Sequence, residues 1–289
     1  MSYKVDNAVI LAAGMSSRFA PLSFEKPKAL IPVKGEVLIE RQIRQLKEAG
    51  VEKIVIVTGY KKEQFAYLKE RYGVTLVENR EYATRNNNGS IYAARHYIRN
   101  SYICCADNYF SINPFETEVE ESYYAGLFSE GRTEEWCMSE GPDGYIDKVT
   151  IGGENSWYML GHVFWSEEFS RNFLKILSEI YDLPQTRNLL WEGIYKEHLD
   201  LLKMKIRRYE SSDIFEFDSL GELRAFDYSY INDSKSEILR RICERLDCQE
   251  KELYDIEPIK EVNSAVGITF KYGSELYRYE YLTENMERM

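Results

Sequence analysis

Two short segments near the start of the chain carry the residues best suited to bind a polyanion. Residues 11–18 (LAAGMSSR) are followed by residues 26–30 (KPKAL). A turn that contains small residues and Gly14 leaves backbone N–H groups accessible, so that a phosphate or a base edge can approach them. Arg18 and Lys28 add fixed positive charge. An ordinary strand-to-helix turn is the alternative for each segment alone, but the pair predicts a nucleotide or phosphate site.

These segments differ from the common phosphate-binding fingerprints. They contain neither GxxxxGK[ST] nor GxGxxG, which argues against a P-loop and against a dinucleotide site. They match LAAGxx[ST]R followed by PKAL, and in this the chain resembles the sugar-nucleotide and phosphocholine type nucleotidyltransferases. The resemblance implies an α/β fold with a Rossmann-like, mostly parallel sheet flanked by helices.

Apolar runs and amphipathic stretches alternate along the first part of the chain. The apolar pattern predicts buried strands over residues 7–10, 53–58 and 74–77. It predicts helices over residues 37–50 and 63–72. This order predicts right-handed crossovers and a mostly parallel sheet. Because ligands bind at the carboxyl ends of such strands, we expect the site where the first strand enters the signature turn.

Three carboxylates are candidate metal ligands. A predicted strand ends in Asp107, which is either a helix cap or a ligand. Alternation over residues 213–218 places Glu216 and Asp218 on one strand face, where the alternative is a solvated edge. Related transferases end the first of these strands in a D-N or D-x-D element that holds Mg²⁺, and phosphocholine-type enzymes have an E-I-D-S segment where this chain has EFDS. The resemblance therefore implies Mg²⁺ binding by Asp107, Glu216 and Asp218.

The same resemblance assigns roles toward the nucleotide. Lys28 is expected to stabilise charge at the α-phosphate and its leaving oxygen, and Arg18 to hold the β- and γ-phosphates with its planar fork. Together with Asp107 these are the expected catalytic residues. Base and ribose are expected to contact Leu11, Ala12, Ala13, Gly14, Asn87 and Ser90. The last two match an N-N-x-x-S segment of the phosphocholine-type enzymes, although an Asn run alone also caps helices.

Trp136 is the candidate for recognition of a second substrate. Aromatic faces hold quaternary ammonium groups by cation–π attraction, and in the family an aligned Trp contacts choline. An aromatic residue precedes the Trp-acid pair of the following family helix, whereas this chain has Leu190 there. A primary ammonium prefers carboxylates, which Glu192 or Glu216 would supply. The alternative for Trp136 is a core tryptophan.

The resemblance covers residues 6 to about 228 and includes four motifs in order. It implies transfer of CMP from CTP to phosphocholine or a related amino-alcohol phosphate or phosphonate, with Mg²⁺, giving a CDP-activated product and pyrophosphate. The alternatives are a 2-aminoethylphosphonate cytidylyltransferase, a sugar-1-phosphate nucleotidyltransferase and an inactive nucleotide-binding module. Trp136 and the Asn-rich segment argue against the sugar phosphate, and the intact charged residues argue against inactivity.

Two domains are expected. Residues 1–228 predict the nucleotidyltransferase domain, including a β-rich insertion over residues 122–163 whose Pro-Asp-Gly hairpin turn is expected to cover the substrate. Residues 229–289 predict a small α+β appendage, with a helix over 234–246 and two strands over 262–282. It weakly resembles a truncated choline-kinase-like N-lobe. It is too short for kinase chemistry, so we expect it to pack on the transferase or to form a homodimer.

Composition limits the partners. A net charge of −11 over 289 residues argues against nucleic acid, because phosphate backbones are held by broad basic surfaces. Five cysteines without a CxxC motif fit reduced thiols. With neither a signal-like segment nor an apolar run of membrane-spanning length, the sequence predicts a cytoplasmic enzyme without membrane insertion.

Overall fold

A computed structural model describes residues 2–261 and 264–289 of the chain. In chain order the strands are β1 (Tyr3–Lys4), β2 (Asn7–Ala12), β3 (Pro32–Val33), β4 (Glu36–Val37), β5 (Ile54–Thr58), β6 (Thr75–Glu78), β7 (Ser101–Cys105), β8 (Asn108–Phe110), β9 (Glu118–Val119), β10 (Tyr123–Glu140), β11 (Ile146–Trp165), β12 (Lys205–Tyr209), β13 (Ile214–Glu216), β14 (Leu253–Glu261), β15 (Ser264–Tyr272), β16 (Glu275–Glu280) and β17 (Met286–Arg288). The helices are α1 (Leu22–Glu25), α2 (Leu38–Glu48), α3 (Ala66–Tyr72), α4 (Asn88–Ala94), α5 (Glu167–Ile180), α6 (Trp191–Lys196), α7 (Leu220–Phe226) and α8 (Glu237–Leu246). Short 3-10 helices occur at Ser17–Phe19, Lys28–Leu30, Lys62–Phe65, Pro184–Asn188, Tyr228–Tyr230 and Glu250–Glu252. Among residues 2–261 and 264–289, no helix has both the length and the apolar character needed to cross a membrane.

The chain divides into two compact units, each assembled from two segments. The first unit comprises the chain up to Gly14 together with Arg41–Phe215. The second comprises Met15–Glu40 together with Glu216–Met289. The boundary expected after residue 228 therefore lies inside the second unit. The segment that contains the PKAL signature groups with the C-terminal part of the chain.

The first unit is built on a sheet with the strand order β12-β10-β11-β7-β2-β5-β6. β2 pairs in parallel with both β5 and β7, and β5 pairs in parallel with β6. Ala8, Val9 and Ile10 of β2 are fully buried, as expected for a parallel strand that is covered on both faces. β11 is antiparallel to β7 and to β10. The predicted Rossmann-like, mostly parallel α/β sheet is confirmed.

β10 and β11 form the long hairpin that the sequence predicts. Its turn is closed by the Gly141 N–H, which donates to the Tyr145 carbonyl at 2.8 Å. The register between the strands shifts repeatedly, so that Cys137 is paired with both Thr150 and Tyr158. Such bulges bend a two-stranded ribbon and increase its twist.

Aromatic packing fixes α6 in the first unit. The buried Trp191 ring stacks on Tyr124 with centroids 5.5 Å apart and meets the edge of Trp165 at 5.1 Å. Phe173 of α5 contacts the same indole at 5.9 Å. Each such pair adds about 0.5–1.5 kcal/mol beyond the burial of its area. The residue after Trp191, Glu192, is therefore held in a defined place.

The second unit has its own sheet and helices. β3 and β4 are joined through Lys34 and Gly35, whose φ angles of 52° and 83° fit a tight type I′ turn. The C-terminal strands form an antiparallel sheet in the order β14-β15-β16-β17. This sheet has four strands, whereas the sequence predicts two in this part of the chain. The predicted start of the first of them, Val262, lies outside the described residues.

The predicted strand over residues 213–218 ends earlier than its pattern indicates. β13 stops at Glu216, and Ser219 caps α7 by accepting from the Glu222 N–H at 3.2 Å. Asp218 lies in the turn between them, where its N–H donates to the Glu222 carboxylate at 2.7 Å. The expectation that Glu216 and Asp218 share one strand face is therefore wrong, because a helix cap interrupts the alternation.

His162 of β11 is fully buried among aromatic rings. Its Nε2 lies 3.5 Å from the Tyr123 hydroxyl and 3.4 Å from the Tyr209 hydroxyl, and the Phe110 ring packs against it at 5.2 Å. Burial, with the nearby Arg207 charge, lowers the pKa of His162 to about 3. The imidazole is therefore neutral in the folded protein near neutral pH.

We predict that His162 makes the folded protein sensitive to acid. An unfolded histidine has a pKa of about 6.5, so between that pH and the folded pKa only the unfolded state binds the proton. Its contribution to stability is present above about pH 6.5 and falls as the pH is lowered, by at most roughly 1.4 kcal/mol per pH unit. In urea unfolding between about pH 7.5 and 5, His162→Gln should remove this slope. His96→Gln, at an exposed site, should retain it. An unaltered slope in His162→Gln would contradict the assignment.

Candidate active site

The carboxyl ends of β2 and β7 meet at one edge of the sheet. β2 ends at Ala12, Leu11 lies opposite Cys105 at the end of β7, and the Ala106 N–H donates to the Leu11 carbonyl at 3.2 Å. Asp107 follows in the turn between β7 and β8 and is half-buried. This strand ends two residues before the predicted carboxylate. The structure nevertheless brings Asp107 to the same sheet edge as the first signature segment, as the parallel topology requires.

Ala13 and Gly14 continue from β2 into an open turn. The Ala13 carbonyl accepts from the Tyr60 N–H at 3.1 Å, which holds the turn against the segment after β5. A Cβ added at Gly14 would meet no described atom within 4 Å. The turn is therefore approachable from this side, as a phosphate-binding or base-binding backbone must be.

The side chains of the Asn run bind the segment that leads into α6. Asn87 Nδ2 donates to the Glu192 carboxylate at 3.1 Å, and Asn87 Oδ1 accepts from the Trp191 N–H at 2.7 Å. Asn88 Nδ2 donates to the Thr186 carbonyl at 2.9 Å. α4 begins at Asn88, directly after Asn87. The predicted nucleotide segment and the predicted acceptor segment are thus hydrogen-bonded to each other.

Ser90 lies buried in the first turn of α4. Its Oγ accepts from Asn79 Nδ2 at 3.1 Å, and Asn79 Oδ1 accepts from the Glu81 N–H at 2.9 Å. Ser90 and Asn87 therefore share one turn, although their side chains point to different partners. Sequence reasoning missed Asn79, since a lone asparagine after a strand carries no pattern of its own.

Glu192 is a buried carboxylate, and 9% of the residue's surface is exposed. It accepts hydrogen bonds from Asn87 and from the Tyr124 hydroxyl, both at 3.1 Å. Burial raises the pKa of Glu192, and the hydrogen bonds from Asn87 and Tyr124 oppose that rise. A carboxylate with so little solvation interacts strongly with any cation that approaches it.

Trp136 lies on β10 opposite Ile151 and is half-buried against the core of the first unit. A Cβ added at Gly193 would lie 3.8 Å from Trp136 Cη2, so the edge of the indole faces α6. Leu190 occupies the N-cap position of that helix. The structure therefore places Trp136 of β10 against α6, the helix that carries the other predicted acceptor residue, Glu192.

The second unit brings three signature charges together. Arg18 Nη1 lies 3.0 Å from Asp218 Oδ2, and Lys28 Nζ lies 3.7 Å from Asp218 Oδ1. Lys28 is 4% exposed, with its ammonium 5.6 Å from the centre of the Phe19 ring. Arg18 is 70% exposed. Arg18 and Lys28 thus converge on one carboxylate, and guanidinium and ammonium groups are the side chains that bind phosphate oxygens most strongly.

Glu216, the last residue of β13, is exposed. Within residues 2–261 and 264–289, no three side chains of the His, Cys, Asp and Glu types are arranged as a protein-only metal site. An all-protein cage is not what Mg²⁺ usually requires, because it retains waters and takes substrate phosphates as ligands.

Comparison with known proteins shows what the chain is similar to. Residues 8–110 match the model of the MobA-like NTP transferase domain. The chain is 36% identical over 217 residues to the choline-phosphate cytidylyltransferase of Streptococcus pneumoniae, covering 75% of this chain and 95% of that protein. It is 38% identical over 229 residues to the 2-aminoethylphosphonate cytidylyltransferase of Lancefieldella rimae, covering 78% of this chain and 93% of that protein.

A solved structure gives the same result. The structure of the CTP:phosphocholine cytidylyltransferase LicC from Streptococcus pneumoniae is 35% identical to this chain, with a TM-score of 0.75. The match covers 78% of this chain and 99% of LicC. The resemblance inferred from the motifs is thereby confirmed. The chain belongs to the family of the choline-phosphate and 2-aminoethylphosphonate cytidylyltransferases.

Proposed function

We propose that the protein transfers CMP from CTP to phosphocholine or a related amino-alcohol phosphate or phosphonate and releases pyrophosphate. Family membership supports the reaction type. The observation in this chain that carries the proposal is the convergence of Arg18 and the buried Lys28 on Asp218. A buried ammonium beside an exposed guanidinium forms a fixed positive site for a triphosphate.

The chemistry requires neutralisation of charge more than proton transfer. The attacking phosphoryl or phosphonyl oxygen is already ionised near neutral pH, so catalysis depends on positioning and electrostatic stabilisation. The acceptor oxygen forms a bond to the α-phosphorus, and the bond from that phosphorus to the bridging oxygen breaks as pyrophosphate leaves. We assign Lys28 to the α-phosphate and the leaving oxygen, and Arg18 to the β- and γ-phosphates.

The backbone of residues 11–14 is proposed to contact the base and ribose. Gly14 leaves open space beside this turn, which supports a close approach of ligand to backbone. Asn87 and Ser90 are proposed to contribute from the turn at the start of α4. Their contacts with Glu192 and Asn79 would orient them for this role.

We further propose Asp107 and Asp218, with Glu216, as the residues that would hold Mg²⁺. The donor set fits, because Mg²⁺ prefers carboxylate and phosphate oxygens with several retained waters. When bound, the ion supplies further neutralisation of phosphate charge. Asp218 also orients Arg18 and Lys28, so its loss would disturb the cationic site even before metal binding is considered.

For the acceptor, we propose that the Trp136 ring faces the ammonium group and that Glu192 supplies negative charge. Cation–π attraction at a desolvated site contributes about 2 kcal/mol. 2-Aminoethylphosphonate is the second candidate acceptor, and Leu190 is the observation that favours it, since the aromatic residue of the family cage is absent there. A primary ammonium can donate hydrogen bonds to Glu192, whereas a trimethylammonium group cannot.

The proposal predicts a narrow substrate range. In pyrophosphate-release assays with CTP, UTP, dTTP and GTP, each combined with phosphocholine, phosphoethanolamine, 2-aminoethylphosphonate and glucose 1-phosphate, turnover should require CTP and an amino-alcohol acceptor. Turnover only with the sugar phosphate would contradict the acceptor assignment. If the protein binds CTP but releases no pyrophosphate from it with any of the acceptors, it is an inactive nucleotide-binding module.

A second prediction concerns the carboxylates. Asp107→Asn and Asp218→Asn should each lower kcat at least about 100-fold while the protein stays folded, because a charge is lost where phosphates are neutralised. Asp255→Asn is a control in the second unit, since Asp255 is exposed and pairs with Lys271 at 2.8 Å. It should keep wild-type rates. Circular dichroism would check that each variant is folded, and initial rates would give its kcat. A near-normal kcat for the Asp107 or Asp218 variant would refute that residue's assignment.

The third prediction separates a substrate-facing tryptophan from a core tryptophan. Trp136→Leu keeps apolar bulk but removes the aromatic face, so it should raise the KM for phosphocholine about 10-fold or more while leaving the KM for CTP unchanged. Trp136→Phe should partly restore affinity. Leu190→Tyr should shift the ratio of kcat/KM values toward phosphocholine over 2-aminoethylphosphonate. Equal losses for both substrates in Trp136→Leu would assign the ring to the core.

A further inference from the structure

Glu25 links the PKAL segment to the C-terminal appendage within the second unit. It is the last residue of α1 and lies three positions before Lys28. Glu25 Oε1 accepts from the Ser236 hydroxyl at 3.0 Å and from the Ile238 N–H at 2.8 Å, and Oε2 accepts from the Glu237 N–H at 3.3 Å. The carboxylate of one segment thus binds the N-terminus of α8 in the other.

These contacts complete the hydrogen bonding at the start of α8. The first N–H groups of a helix have no partner within it. Here the Glu237 and Ile238 N–H groups donate to Glu25, and the Leu239 N–H donates to Ser236 Oγ at 3.1 Å. A carboxylate at this position also interacts favourably with the positive end of the helix dipole. α8 and α1 therefore stabilise each other's position.

Further hydrogen bonds hold the part of the same segment that follows Lys28 in the chain. The Tyr230 hydroxyl donates to the Pro32 carbonyl at 2.6 Å, and the Lys34 N–H donates to the Asp227 carboxylate at 2.6 Å. The Phe24 and Tyr281 rings pack with centroids 4.2 Å apart, beside Glu25. β14 runs beside the 3-10 helix Ser17–Phe19, which contains Arg18, with Cα atoms within 8 Å.

The PKAL segment has little structure of its own to rely on. Residues 15–37 contain one-turn helices and a hairpin of two-residue strands, elements too short to be stable alone. Arg18 and Lys28 nevertheless must both reach Asp218. Their placement therefore depends on what the segment packs against.

We propose that Glu25 is a positioning residue, and that through it and Tyr230 the C-terminal appendage holds Arg18 and Lys28 in place for the nucleotide. The appendage contributes no catalytic residue. It acts on the reaction by fixing the backbone on both sides of Lys28. The kinetic part of this inference rests on the proposed role of Arg18 and Lys28 in CTP binding.

The test uses the full-length chain and four variants. Glu25→Ala removes the acceptor, Glu25→Gln keeps one oxygen that can accept from the Ile238 N–H, and Tyr230→Phe removes only the bond to Pro32. Glu244→Gln is the control, because Glu244 is exposed on α8 and pairs with Arg240 of the same helix. All are compared by kcat and by KM for each substrate, and by hydrogen exchange of peptides that cover residues 15–33.

Glu25→Ala should lower kcat/KM for CTP by about 10-fold to 100-fold, the range expected when a catalytic group is misplaced by about 1 Å. The KM for CTP should rise while the KM for the acceptor stays unchanged. Glu25→Gln and Tyr230→Phe should show the same split with smaller losses. Residues 15–33 should exchange faster in these variants, and the control should match the wild type in both measurements.

A merely structural role gives a different result. If Glu25→Ala only reduced the fraction of folded protein, kcat would fall and both KM values would remain, and this outcome would overturn the inference. Wild-type kinetics and exchange in both Glu25→Ala and Tyr230→Phe would also overturn it. If the wild-type chain does not turn over CTP, the proposed function fails. The exchange of residues 15–33 then still tests the inference, with faster exchange supporting it and unchanged exchange overturning it.

Discussion

The cationic site of the second unit, formed by Arg18 and Lys28, depends on one carboxylate, Asp218. The two cations that this carboxylate contacts differ widely in exposure. Lys28 is almost fully buried, and an ammonium in such a place costs several kcal/mol unless a counter-charge compensates for it. Asp218 supplies that charge and also holds the exposed Arg18. The turn that presents Asp218 is in turn fixed by the Ser219 cap and the Glu222 side chain. Local capping, worth about 1 kcal/mol per cap, therefore fixes the turn that carries the carboxylate on which the two cations converge.

The first unit shows the opposite arrangement, a buried negative charge near an aromatic ring. Glu192 is held by Asn87 and Tyr124, and stacked rings fix the helix on which it lies. The side chain of Trp136 borders the same helix. The groups of the second unit suit phosphates, whereas those of the first unit suit an ammonium.

Much of the first unit could be predicted from the sequence because its signals are local. The apolar run of β2, the hairpin turn before Tyr145 and the Ser166 cap of α5, which accepts from the Phe169 N–H at 3.3 Å, each follow from neighbouring residues. The motifs also single out Arg18, Lys28 and Asp218, whose side chains the structure brings together. The shared strand face of Glu216 and Asp218 was a wrong prediction, because the cap signal of Ser219 competes with strand alternation and prevails.

Other features depend on contacts between distant parts of the chain and leave no pattern in the sequence. Glu25 reads as an ordinary charged residue before PKAL, yet it binds a helix more than two hundred residues later. Asn79 and Tyr124 carry no motif, although they position Ser90 and Glu192. For the same reason, a boundary after residue 228 drawn from the extent of the family resemblance could not reveal that residues 15–40 group with the C-terminal segment.

The most direct test of the account is to follow the oxygen that attacks CTP. Phosphocholine labelled with ¹⁸O on its phosphoryl oxygens would be incubated with CTP, Mg²⁺ and the protein, and the products observed by ³¹P NMR. The account predicts CDP-choline whose α-phosphorus resonance is shifted by a bridging ¹⁸O, together with unlabelled pyrophosphate. Labelled pyrophosphate, or CMP and pyrophosphate without the labelled diester, would contradict it.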